Sequence, residues 1–279
     1  MAGAGMNDIK ARIKSVKSTM QITGAMELVA TSKLRRAKEK LERTRPFCLA
    51  LKEAICKIIG ASVEGESDYL KPKAGGKPLY IVIAGDRGLA GGYNSNIFKL
   101  TSSLMKGAEA VVLPIGKKAH EYYKHRDFEV VDLGADYVVE VGVGSAHALA
   151  QAVCEGFLKG EYSKVTLVYT RFVSMLTQTP THLDILPLAN EGETGCTAEY
   201  DIEPSEMLEK IVPEYVGGLI YSAICEAEAS ESGARRTAMN AANKNAREMV
   251  DDLMLKFNRA RQAVITQEIT EIVSGAEAL

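Results

Sequence analysis

The 279-residue sequence contains no tryptophan and only four histidines, and aromatic residues make up 6% of it. Scattered histidines without paired cysteines exclude the usual zinc-ligand spacings. The five cysteines (Cys48, Cys56, Cys154, Cys196 and Cys225) are odd in number and form no Cys-x-x-Cys pair. They are therefore expected as reduced thiols, not as a disulfide framework. No apolar run approaches the roughly 20 residues that a membrane-spanning helix needs. The segment Met1 to Lys10 lacks the apolar stretch of a secretion signal and the Arg/Ser-rich pattern of a transit peptide. A cytoplasmic chain of bacterial type is the expectation. A net charge of −2 leaves no bulk attraction for polyanions. What is present is ordinary globular material, with 46% hydrophobic and 25% charged residues. That excludes a disordered chain and allows one large domain or two smaller ones.

The charge is unevenly distributed. From Asp8 to Lys57 there are 13 Lys/Arg against 5 Asp/Glu, and from Ser205 to the end 8 against 12. A basic first segment and an acidic last one attract each other if they lie side by side, and the basic segment also suits an acidic partner. The sequence leaves both open.

Both terminal segments carry helical periodicity over unusual lengths. In alternating steps of four and three from Ile9, the positions run Ile13, Val16, Met20, Thr23, Glu27, Ala30, Leu34, Ala37, Leu41, Thr44, Cys48, Leu51, Ile55 and Ile58, and twelve of the fifteen are apolar. A 3.5-residue repeat held this long is a coiled-coil seam, because only supercoiling keeps such a stripe facing one partner. Near Thr23 and Glu27 the apolar residues move to Ile22, Met26 and Val29. This second stripe implies either a wider local core or contact with another molecule. Pro46 is expected to kink or break the helix. In the C-terminal segment Ser205 is a candidate N-cap, followed by Leu208, Val212, Tyr215, Leu219, Ile220, Ile224 and Ala227. Next come Ala234, Ala238 and Ala241, then Met249, Leu253, Phe257, Ala260, Val264, Ile269 and Ile272. Pro213 and Gly217-Gly218 predict distortion in its first turns. As single helices the two segments would be about 75 Å and about 100 Å long. Globular helices average near 12 residues, so these need each other and further partners. With a domain inserted between the ends, an antiparallel pair is the natural arrangement.

The middle alternates strand and helix patterns. Strands are predicted at Leu79–Ala84, Ala110–Ile115, Phe128–Asp132, Val165–Val173 and His182–Leu188, the last at an edge because of its flanking prolines. Helices are predicted at Asn96–Lys106, Lys117–Arg126 and Ser145–Lys159. The alternation predicts a mostly parallel sheet with helices on both faces. Lys71–Pro78 reads as a linker in, and Ala189–Ala198 as a loop out. The glycine-rich turn Gly85–Asn94 has neither the G-x-G-x-x-G spacing nor a following Gly-Lys-Ser/Thr, so its glycines are expected to serve a tight turn and close packing, not a nucleotide. No Ser/His/Asp group or carboxylate pair stands out. The fold class is α/β: a long antiparallel coiled coil of N- and C-terminal helices with an inserted Rossmann-like three-layer α/β domain. The divisions are 1–70 for the first helix, 71–204 for the α/β domain and 205–279 for the last helix.

Four stretches resemble one family. They are Ile22-Thr23-Gly24-Ala25-Met26-Glu27-Leu28-Val29-Ala30-Thr31-Ser32-Lys33-Leu34-Arg35, the loop Asp86-Arg87-Gly88-Leu89-Ala90-Gly91-Gly92-Tyr93-Asn94, the segment Glu231-Ser232-Gly233-Ala234-Arg235-Arg236-Thr237-Ala238-Met239, and Ile265-Thr266-Gln267-Glu268-Ile269-Thr270-Glu271-Ile272-Val273-Ser274-Gly275-Ala276. The whole chain is similar to gamma subunits of rotary F-type ATP synthases. The resemblance implies a central rotating shaft with no catalytic site, no cofactor and no metal of its own. It implies a hexamer of alpha and beta subunits around the helices, an epsilon subunit beside the α/β domain, and a membrane c-ring beneath, turned by protons. Localisation would be peripheral, on the cytoplasmic side of the cell membrane. It places beta-subunit contacts at Met26, Arg261, Gln262, Thr266 and Glu268. Lys33, Arg35 and Arg36, with Lys38, would face an acidic beta lever segment, and Tyr200 and Asp201 the c-ring. Val264 to Val273, charged only at Glu268 and Glu271, suits an apolar sleeve. Gly24 stands where many relatives carry Lys, and Ala90 where many carry Cys. A redox switch of the plant type needs a cysteine pair near Cys196, so no thiol regulation is expected.

Two other functions remain to be weighed. An enzyme built on the α/β domain requires nucleotide binding. A nucleic-acid binder built on Lys10–Lys57 requires steep salt dependence, and with Phe47 as the only aromatic there, base stacking has little support.

Overall fold

A computed structural model of the chain describes residues 2–61, 67–107, 109–126, 128–134, 138, 141–189 and 203–277. The elements are α1 (Ala2–Ala61), β1 (Lys77–Ile83), α2 (Tyr93–Leu104), β2 (Val111–Ile115), α3 (Lys117–Lys124), β3 (Glu129–Val130), α4 (Val143–Leu158), β4 (Tyr162–Phe172), β5 (Gln178–Leu186) and α5 (Pro204–Glu277). They pack as two compact units, one of residues 1–30 with 236–279 and one of residues 31–235.

In the larger unit the sheet order is β3-β2-β1-β4-β5. β1 pairs in parallel with β2 and β4, β2 with β3 likewise, and β5 runs antiparallel at the edge beside β4. The predicted parallel sheet and its edge strand are therefore present. Period-two alternation sends Leu79, Ile81 and Ile83 of β1 to one face and Val82 and Ala84 to the other. The first face carries the main core, with Val153 and Phe157 of α4, Ile55, Ile58 and Ile59 of α1, and Leu208, Val212, Val216 and Ile220 of α5. The second is covered by Ile97 and Phe98 of α2 and Ala119 and Tyr123 of α3. Three layers result, and each large side chain buried between them contributes about 1.5–3 kcal/mol. One turn admits only glycine: Gly116 has φ +96°, and a Cβ there would lie 2.2 Å from the Ala84 carbonyl oxygen.

All fifteen seam positions of α1 are buried or half-buried. Neither proline breaks its helix. α1 continues through Pro46 and α5 through Pro213. Pro46 is exposed, so water can hydrate the carbonyl its ring leaves unbonded. Nor do Gly217 and Gly218 break α5. A Cβ on Gly217 would sit 3.2 Å from His147 Cα of α4, and one on Gly218 3.3 Å from Cys48 Sγ of α1. These glycines let α5 approach a helix on each side, and tertiary packing outweighs their poor helix propensity.

Candidate functional site

A sheet in this strand order has its switch point between β1 and β4, and ligands in such folds bind outside the carboxyl ends of the strands there. Here α5 fills that crevice. Tyr93 donates its hydroxyl to the Ala227 carbonyl at 3.1 Å, and Ser230 Oγ donates to the Thr170 carbonyl at 2.9 Å. The backbone N–H of Phe172 donates to Glu226 Oε1 at 3.2 Å. Arg235 pairs with Glu231 and donates to the carbonyls of Arg87 and Gly88 at 3.3 and 3.2 Å. A Cβ on Gly85 would meet the Glu231 carboxyl at 2.7 Å. The loop after β1 is also tied internally, with Asn94 Oδ1 accepting from the Gly85 N–H at 2.9 Å and Asp86 Oδ1 from the Lys117 and Val138 N–H groups, each at 3.1 Å. The glycine-rich loop thus holds the α/β layers to a helix instead of cradling a phosphate. Burial pushes the Tyr93 phenol far up, so it remains a hydrogen-bond donor.

The basic segment of α1 divides. Lys38 Nζ lies 4.6 Å from the Phe172 ring centroid, and Lys40 pairs with Glu228 at 3.3 Å. Part of its charge is therefore used against β4 and the acidic helix. Lys33, Arg35 and Arg36 are exposed, flanking the buried Leu34 and Ala37. Among the described residues no group of three or more His, Cys, Asp or Glu is placed to hold a metal ion, and no helix is long and apolar enough to cross a membrane.

In the smaller unit α1 and α5 run antiparallel. Asn243 Nδ2 donates to the Met20 carbonyl at 2.9 Å, and Asn240 Nδ2 to Glu27 Oε1 at 3.1 Å. The α5 seam follows Met239, Asn243, Ala246, Val250, Leu253, Phe257, Ala260 and Val264, all buried or half-buried. This corrects the sequence pattern, which had assigned the exposed Ala241 and Met249 to the seam. An antiparallel pair with equal rise and Thr23 opposite Asn243 brings the start of α1 opposite about residue 264. Beyond that point α5 has no companion among the described residues of this unit, and Ile265, Ile269, Ile272 and Val273 are exposed. The second stripe of α1 is not a wider core either: Ile22 and Val29 are 57% and 58% exposed, and Leu28 is 74% exposed.

Met26, the third member of this stripe, is half-buried, and Arg261, Gln262, Thr266 and Glu268 are exposed at and beyond the end of the pair. Thr266 returns its hydroxyl to the Gln262 carbonyl at 2.9 Å. Tyr200, Asp201 and Cys196 lie outside the described residues. Sequence analysis missed the role of Glu226, Ser230 and Arg235 in filling the crevice. The signal for it was the missing phosphate-binding spacing together with a Gly-rich loop, which left the crevice without a ligand.

A family model described as ATP synthase matches residues 5–279. The ATP synthase gamma chain of Ruminococcus albus is 47% identical over 281 residues, covering 98% of each chain. The ATP synthase gamma chain, sodium ion specific, of Acetobacterium woodii is 41% identical over 98% of each. Among solved structures, a chain of the Euglena gracilis mitochondrial ATP synthase (OSCP/F1/c-ring, rotational state 3) matches with a TM-score of 0.67 at 18% identity, over 99% of this chain and 95% of that one. At that identity the structural likeness speaks for the fold, while full-length identity to the curated relatives speaks for descent. The chain belongs to the ATP synthase gamma-chain family.

Proposed function

We propose that this chain is the rotor shaft of a proton-translocating F-type ATP synthase, carrying torque between a membrane c-ring and an alpha/beta hexamer in synthesis and hydrolysis. The observation that carries this reading is the end of α5 past residue 264: Ile265, Ile269, Ile272 and Val273 are exposed there, and Val264 to Val273 is charged only at Glu268 and Glu271. Such an end suits a sleeve in which it must turn without strong fixed contacts. Met26, Arg261, Gln262, Thr266 and Glu268 meet beta, Lys33, Arg35 and Arg36 face its acidic lever, and Tyr200 and Asp201 meet the c-ring. Epsilon sits against the α/β domain, the catalytic sites belong to the hexamer, and the chain is peripheral on the cytoplasmic face of the cell membrane. Functionally the divisions are 1–70, 71–204 and 205–279.

The test is co-purification with alpha and beta subunits, followed by ATPase assay with and without this chain. Co-purification and stimulated turnover are expected. A hexamer indifferent to the chain would overturn the proposal. In vesicles bearing the whole complex, ATP-driven acidification without sodium is the expected sign of proton coupling.

A further inference from the structure

The seam of the smaller unit contains an anomaly at one turn. Gly24 lies in the interior of α1, where no turn or positive φ requires glycine, and glycine is the poorest helix former after proline. Asn243 is the one polar residue of the α5 seam between Met239 and Val264. The two meet. A Cβ on Gly24 would lie 3.3 Å from Asn243 Nδ2, so the amide lies tight over the place where a side chain would begin. From there it reaches the backbone of α1, donating to the Met20 carbonyl at 2.9 Å, with Thr23 Oγ1 3.5 Å away. Thr23 donates its own hydroxyl to the same carbonyl at 3.1 Å. One turn along, Asn240 donates to Glu27.

We propose that Gly24 and Asn243 form a pin between the two helices, an amide seated over the bare backbone of α1 that fixes their axial register and resists sliding of one helix along the other. Apolar seam contacts alone resist sliding poorly, because Val, Leu, Met and Ala exchange neighbours at little cost. A hydrogen bond to one backbone carbonyl has one register only, and a shift by a turn strands the amide in the seam. The pin gains its purpose from the shaft reading, since a two-helix shaft under torque is loaded in this direction, but its geometry stands apart from that reading.

The test is disulfide trapping in the full-length chain, with bridges located by peptide mapping so that native cysteines do not confuse the result. One heptad from Thr23 and Asn243 lie Val16 and Val250, so Val16→Cys with Val250→Cys reports the native register. Val16→Cys with Ala246→Cys and with Leu253→Cys report slipped registers. In the parent chain the native bridge should form about tenfold faster than either slipped one. Asn243→Asp keeps the shape and removes the donor, and Asn243→Ala removes the amide altogether. In each, the slipped bridges should form at rates comparable with the native one. Retention of the parent selectivity in both variants would overturn the pin. A chain that failed to stimulate the hexamer yet kept this behaviour would overturn the shaft reading and leave the pin standing.

Discussion

At the scale of single residues, Glu226 shows how the crevice trades charge for packing. It accepts from the Phe172 N–H at 3.2 Å. Burial pushes its carboxyl above the ordinary range, against the opposing pull of the Phe172 N–H, Arg171, the Tyr169 hydroxyl and Arg45. The folded protein therefore holds this proton longer than the unfolded chain. The stabilisation is complete below the ordinary carboxylate range and fades as pH rises through the raised folded value. Glu226→Gln keeps an acceptor for Phe172 and has no charge to desolvate. Melting followed from about pH 4 to about pH 8 should show the variant matching the parent in acid and exceeding it at neutral pH, by under about 1 kcal/mol because the group is only partly buried. A variant that melts lower at neutral pH would mean that the Arg171 and Arg45 attractions outweigh desolvation.

At the scale of elements, α1 separates its roles by face. Leu34 and Ala37 pack with Ala229 and the half-buried Phe172, while Lys33, Arg35 and Arg36 point away from that cluster. Replacing these three with Ala should leave the melting of the isolated chain within about 0.5 kcal/mol, since exposed charges contribute little to stability. The same variant should lose most of its stimulation of hexamer ATPase. A variant that melts much earlier would assign the three to folding, and one with undiminished stimulation would remove them from the acidic contact. The periodicity of α1 was legible because every seam residue reports one constraint, burial against α5 or the sheet, at each turn. In α5 the legibility fell off near Ala241 and Met249, where the burying surface changes from an α/β layer to a single helix and the buried stripe narrows.

At the scale of the whole molecule, the crevice of the sheet decides what the chain can bind. Because α5 fills the switch point with its own hydrogen bonds, ATP or NAD at about 1 mM should leave the melting temperature of the isolated chain unchanged, whereas a site with a Kd one hundredth of that concentration would raise stability by about 2.7 kcal/mol. A nucleotide-dependent shift in calorimetry or dye-monitored melting would reopen the enzyme reading. The same filling explains why a three-layer α/β fold serves here as a clasp around a helix.

Local pattern was enough to determine the class of every element, the mostly parallel sheet with an edge strand and the fifteen-position seam of α1, since helix and strand periods follow directly from which residues must be removed from water. The resemblance of four motifs carried the family. Tertiary structure alone decided that Pro46 and Pro213 stay within helices, that Gly217 and Gly218 are points of close approach, that Lys38 turns to Phe172, and that Asn243 reaches over Gly24. Each of these depends on what lies opposite a residue in space. A periodic pattern states which side of a helix faces inward, but not which atom of a distant segment waits there.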